Sequence, residues 1–149
     1  ILEPTATVRS VTERSVTTGD EQGTANVGKA LAASLEQGDI VLLTGDLGAG
    51  KTAFVRGLAE GLGIDPDLVS SPTFTLIQEY RGGRVLLAHA DLYRVTLARE
   101  IDELGLEEYR GAIVAIEWAE RLPHVPPGAI HVDIAHTGET ARTVTIGRR

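Results

Sequence analysis

Cysteine is missing from all 149 residues, which excludes a disulfide framework and any thiolate metal site. Methionine is missing too and the chain opens on Ile1, so the natural chain is expected to hold residues before it. No apolar run approaches the roughly 20 residues of a membrane span, and residues 1–20 are too polar and charged for a secretory signal. A cytoplasmic protein with no membrane partner is expected. Basic charge is also short: 14 Lys and Arg stand against 21 Asp and Glu, a net charge of −7. That is the wrong sign for gripping nucleic acid by its phosphates, so any nucleic-acid role must be indirect. Lysine occurs only at positions 29 and 51, and a lone lysine within a Gly-rich loop is conspicuous.

What is present fits one globular domain over residues 1–149, with 42% hydrophobic and 23% charged residues. No internal repeat, low-complexity tract or charge block interrupts it, and Gly and Pro punctuate short apolar runs. Residues 6–11 read as a first strand. Thr18, Gly19 and Asp20 offer caps to a helix that places Val27, Leu31 and Leu35 on one face and should end at Gly38. Asp39 to Thr44 is a continuous apolar run, as expected of a strand buried on both faces. A Gly-rich turn and a helix through about Leu62 follow. Phe74 to Tyr80 and Val85 to His89, separated by Arg81-Gly82-Gly83-Arg84, predict an antiparallel hairpin. Leu97, Ile101 and Leu104 predict a short helix before Gly105, and Ala112 to Ile116 a buried strand ending at Glu117. Ile130 to Ile134 and Thr143 to Ile146 complete about seven strands. The expected fold is a three-layer α/β domain with a mixed, mostly parallel sheet.

Between the strand at 39–44 and the next helix lies Gly45-Asp46-Leu47-Gly48-Ala49-Gly50-Lys51-Thr52, the spacing of a P-loop. Phosphates carry dense negative charge and need many donors close together without side chains in the way, which glycine-rich backbone at a helix N-terminus supplies. Lys51 would neutralise the β and γ phosphates of ATP, and the Thr52 hydroxyl would coordinate Mg²⁺. Asp46, Leu47, Gly48, Ala49 and Gly50 would line the phosphates with them. A further acid is needed on a neighbouring strand to hold the metal or polarise water. Glu117 and Asp91, each at a strand end, are the candidates, as catalytic carboxylates alongside Lys51 and, for Glu117, as a metal ligand with Thr52. The Asn-Lys-x-Asp element of GTP specificity is absent, since Asn26 is the only asparagine. Arg94 and Arg99 could serve a lid, or equally a salt-bridged helix start beside Glu100 and Asp102. No arginine finger is obvious beside the loop, with Arg94 left open as the exception.

Four words in order and spacing together resemble one family, the bacterial TsaE ATPases of tRNA threonylcarbamoyladenosine modification. They are the P-loop, Ser71-Pro72-Thr73-Phe74-Thr75-Leu76, His89-Ala90-Asp91-Leu92-Tyr93-Arg94, and Glu117-Trp118, and the likeness spans roughly residues 17–146. P-loops are widespread, whereas the second and third words are far more specific. The resemblance implies a weak ATPase that acts with the TsaB and TsaD proteins and meets tRNA only through that complex. By the same resemblance Lys51 and Thr52 serve phosphate and magnesium, Glu117 is the magnesium-associated acid, and Asp91 a second functional carboxylate. The segment Ser71 to Thr75 resembles a switch sensing the γ phosphate through Thr73 or Thr75, and Glu21 and Thr24 resemble positions near the nucleoside. A helix cap accounts for those two almost as well, and Trp118 suits core packing as much as functional surface. Family members often carry a second Thr after the one matching Thr52, and here Ala53 stands there.

Two other readings remain at this stage. A small-molecule kinase would pass phosphate to a metabolite rather than to water. A nucleotide-gated scaffold would use bound ATP to control docking, with hydrolysis incidental.

Overall fold

The structure is a computed structural model that describes residues 13–46, 48–70 and 76–148. The expected strand at 6–11, Leu47 and the segment Ser71 to Thr75 lie outside the described residues. Among the described residues seven strands form one sheet: β1 (Arg14–Thr18), β2 (Ile40–Thr44), β3 (Ile77–Tyr80), β4 (Leu86–Asp91), β5 (Ala112–Glu117), β6 (Ile130–His136) and β7 (Arg142–Arg148), in the spatial order β1-β7-β6-β2-β5-β4-β3. The central strands β6, β2, β5 and β4 run parallel, while β3 adds antiparallel to β4 at one side and β7 and β1 add antiparallel at the other. All six residues of β5 are buried, as an apolar strand covered on both faces requires.

Helices α1 (Glu21–Ala32) and α2 (Lys51–Gly61) cover one face, where Leu31, Phe54 and Leu58 pack on Val41, Leu43, Leu87 and Ile113. The short helix α3 (Ala98–Asp102) and nearby 3₁₀ turns cover the other, over Leu42, Ala88, Val114 and Ile116. The two long helices pack closely because glycine allows it: a Cβ on Gly57 would strike the Ala25 carbonyl. The three-layer arrangement and the hairpin β3–β4 follow the sequence reading. No helix among the described residues is long and apolar enough to cross a membrane.

One boundary differs from expectation. Helix α1 ends at Ala32, not at Gly38. Beyond it the bonds tighten to i−3 spacing, with Ser34 N donating to Leu31 O at 2.9 Å and Leu35 N to Ala32 O at 3.1 Å. Arg84, from the β3–β4 turn, donates to the carbonyls of Ala32 at 2.8 Å and Leu35 at 3.0 Å, so the helix end is closed by a distant side chain. Gly38 instead takes φ +92° in the turn into β2 and donates its N–H to Ala112 O at 2.8 Å.

Candidate functional site

Parallel strands place their C-terminal ends on one edge, and that is where a cavity of about 650 Å³ opens. The loop after β2 brings the chain to the edge. Gly45 sits at φ +142°, where an added Cβ would collide with the Ile134 carbonyl, and Gly50 at φ +109° turns the chain into α2. Helix α1 has its N-terminus closed by Asp20, whose Oδ1 accepts from Gly23 N at 2.8 Å. The N-terminus of α2 has no side-chain cap and no acid in its first turn, an end suited to an anion.

Lys51 opens α2 and is only 4% exposed. Its Nζ donates to Gly45 O at 2.6 Å and Asp46 O at 2.9 Å, and lies 4.1 Å from the Trp118 ring centroid. Burial lowers its pKa from the ordinary value, against the opposing fields of Glu117, Glu120, Asp91 and Asp46. A polyanion in the cavity would relieve that desolvation cost. Thr52, one residue on, donates its hydroxyl to Glu117 in a forked bond, at 2.9 Å to Oε2 and 3.1 Å to Oε1.

Glu117 ends β5 and Asp91 ends β4, and pairing of these strands sets them directly in register. Glu117 is 3% exposed and receives, besides Thr52, the Nε2 of His89 at 2.6 Å. Asp91 accepts from Tyr93 N at 2.9 Å. Its carboxyl is pushed above the ordinary range, first by burial and further by Glu117, with the Tyr93 amide opposing. A hydroxyl and two carboxylates are hard oxygen donors, a set that suits Mg²⁺ completed by phosphate oxygens and water. Among the described residues no group of three or more His, Cys, Asp or Glu forms a self-contained metal cage, and magnesium at a phosphate site needs none.

The structure therefore brings together Lys51, Thr52, Glu117, Asp91, Gly48, Ala49 and Gly50 around one cavity. Glu21 and Thr24 line it from α1, but both side chains are engaged: Glu21 Oε1 lies 3.3 Å from Arg56 Nη1, and the buried Thr24 hydroxyl lies 2.9 Å from that of Thr18. Asp46 does not line the cavity and is exposed, contributing its carbonyl to Lys51. Arg94 reaches the cavity wall, and Arg99 is exposed on α3.

Two residues were missed from sequence, Arg142 and His89, and a third, Trp118, was left between packing and functional surface. An arginine does stand beside the loop: Arg142, at the start of β7, donates through Nε to Ala49 O at 2.9 Å and through Nη2 to Gly48 O at 3.4 Å. Trp118 is more than packing. At φ +59° it is the non-glycine residue with positive φ among the described residues, and the turn lays its indole under Lys51 and 4.9 Å from the Tyr93 ring. His89, fully buried beneath Glu117, is the other missed residue. Its place in the same word as Asp91 was the available signal.

Comparison with known proteins shows the family and the fold. The family model described as "Threonylcarbamoyl adenosine biosynthesis protein TsaE" matches residues 18–144. The tRNA threonylcarbamoyladenosine biosynthesis protein TsaE of a Nostoc strain is 46% identical over 133 residues, covering 85% of this chain and 81% of that one. The Bacillus subtilis protein of the same name is 40% identical over 131 residues, covering 86% and 81%. The crystal structure of Bacillus subtilis YdiB superposes with a TM-score of 0.69 at 33% identity, covering 93% of this chain and 88% of that one. With its P-loop NTPase-like fold and a match along most of its length, the chain belongs to the TsaE family of tRNA threonylcarbamoyladenosine biosynthesis proteins.

Proposed function

We propose that this protein, acting as one cytoplasmic domain, binds ATP with Mg²⁺ in the cavity at the head of α2. It hydrolyses ATP slowly alone, and its nucleotide cycle supports threonylcarbamoyladenosine modification of tRNA together with TsaB and TsaD. The observation that carries the reading is the convergence of Lys51, Thr52, Asp91 and Glu117 on the uncapped N-terminus of α2.

In this reading Lys51 leaves the carbonyls of Gly45 and Asp46 for the β and γ phosphates, which amides of the loop and helix also receive. Thr52 and Glu117 hold the metal, and Asp91 orients water beside it. Bound magnesium supplies charge neutralisation at the phosphates. Slow turnover follows from Arg142, whose guanidinium is spent on the backbone of Gly48, Ala49 and Ala141 and so steadies the loop rather than reaching across the cavity. A partner would supply or order the missing group, and Ser71 to Thr75 is the segment proposed to respond to the γ phosphate. A net charge of −7 suits docking on protein partners better than holding tRNA.

The test is multiple-turnover formation of threonylcarbamoyladenosine on tRNA by purified TsaB and TsaD, with wild type or Lys51→Ala added. Wild type should sustain turnover and the variant should not. Sustained turnover without this protein, or equal support from the variant, contradicts the proposal, and radiolabelled phosphate appearing on a metabolite would point to a kinase.

A further inference from the structure

A histidine with no exposed surface, buried within the sheet, needs a reason. His89 alternates along β4 with Leu87 and Asp91, and β4 pairs in parallel register with β5, so His89 stands diagonally below Glu117. Its Nε2 meets Glu117 Oε2 at 2.6 Å, the shortest hydrogen bond Glu117 makes here, and since a carboxylate only accepts, the hydrogen is on the ring. On the far side the Tyr80 hydroxyl lies 3.0 Å from Nδ1, 2.8 Å from Gln78 Oε1 and 3.2 Å from Ser70 O. The ring is thus held at both nitrogens and cannot turn without breaking a buried bond. Tyr80 itself is 5% exposed. The result is a buried chain from Tyr80 through His89 and Glu117 to the Thr52 hydroxyl.

We infer that His89, braced by Tyr80, is a positioning residue that holds the Glu117 carboxylate in the orientation needed to bind Mg²⁺ with Thr52. This rests on the proposed magnesium role of Thr52 and Glu117. Oriented partners behind a metal-binding carboxylate ordinarily govern metal affinity more than they govern contact with the rest of the ligand. Removing the ring's donor should therefore weaken the metal's contribution to nucleotide binding and leave metal-free binding alone.

The experiment is calorimetric titration with ATP, in Mg²⁺ and separately in EDTA, of wild type, His89→Asn, His89→Gln and Tyr80→Phe. The quantity read is the factor by which Mg²⁺ tightens ATP binding. That factor should fall by about 10-fold or more in His89→Asn, which loses the donor to Glu117. It should largely recover in His89→Gln, whose amide nitrogen reaches the place of Nε2, and fall less in Tyr80→Phe, with the EDTA affinities unchanged throughout. A wild-type factor of one would show that the magnesium reading itself fails, and this inference with it. A wild-type factor well above one that is unchanged in His89→Asn overturns the inference alone. Equal losses in the Asn and Gln variants also overturn it, by making His89 mere filling. If His89→Asn loses its near-ultraviolet circular dichroism, ¹⁵N-histidine NMR of wild type decides. The His89 Nε2 signal should move when Mg²⁺ is added to the ATP complex, and a fixed signal overturns the inference.

Discussion

Asp91 and Glu117 stand opposite each other in register at the ends of two parallel strands, with the Lys51 charge felt by Asp91 and the Thr52 hydroxyl bonded to Glu117. Two carboxylates so placed repel, and a divalent cation and its water are what such a pair accommodates. Each should then matter more to chemistry than to capture of phosphates already held by the loop. Glu117→Ala and Asp91→Ala are each expected to lower ATP turnover, with partners present, by about 10²-fold or more; in Mg²⁺, Asp91→Ala should change ATP affinity by less than about tenfold and Glu117→Ala, which removes a metal ligand, by about the factor lost in His89→Asn, with binding in EDTA unchanged. Steady-state kinetics beside calorimetry measure this. Wild-type turnover in either variant would remove that residue from the catalytic account.

Asp91 also predicts a pH effect on stability without nucleotide. Burial raises its pKa above the ordinary 3.8, so the folded protein binds that proton more tightly than the unfolded chain. Its stabilising contribution is full below the unfolded value and is lost as pH rises through the folded one. At neutral pH the ionised side chain therefore costs stability. Asp91→Asn keeps an oxygen for the Tyr93 amide and should melt above wild type at pH 7 in EDTA, with the gap closing as pH falls toward 3.8. Thermal melts across that range check the sign. A variant that melts below wild type at pH 7 contradicts it.

Trp118 is the only tryptophan, and Lys51 Nζ lies 4.1 Å from its ring centroid. If Lys51 leaves for phosphate, the ring loses its cation. Intrinsic fluorescence should change on adding ATP with Mg²⁺, and in Lys51→Ala the emission should differ from the outset and respond far less. An equal response in both proteins would show that Lys51 stays on the indole.

Much of this site is legible in sequence because its chemistry is local. The strand at 40–44, the glycine-spaced loop and Lys51-Thr52 are contiguous, and Glu117 ends an apolar run that reads as a buried strand. The rest depends on pairing that no local pattern carries. His89 meets Glu117 across 28 residues, and Arg142 meets Ala49 across 93. The early end of α1 has the same origin, since its closing group, Arg84, lies 52 residues from Ala32. Thr24, read as a position near the nucleoside or almost equally as part of a helix cap, lines the cavity while its hydroxyl lies 2.9 Å from that of Thr18.

The central claim, that Lys51 is the principal cation of an ATP site, is tested most directly by calorimetric ATP titration in Mg²⁺ of wild type and Lys51→Ala. Far-ultraviolet circular dichroism serves as the control for folding. Removing one partner of a buried charge contact should weaken ATP binding by at least about 30-fold while the spectrum is unchanged. Equal affinity in the two folded proteins would contradict the account.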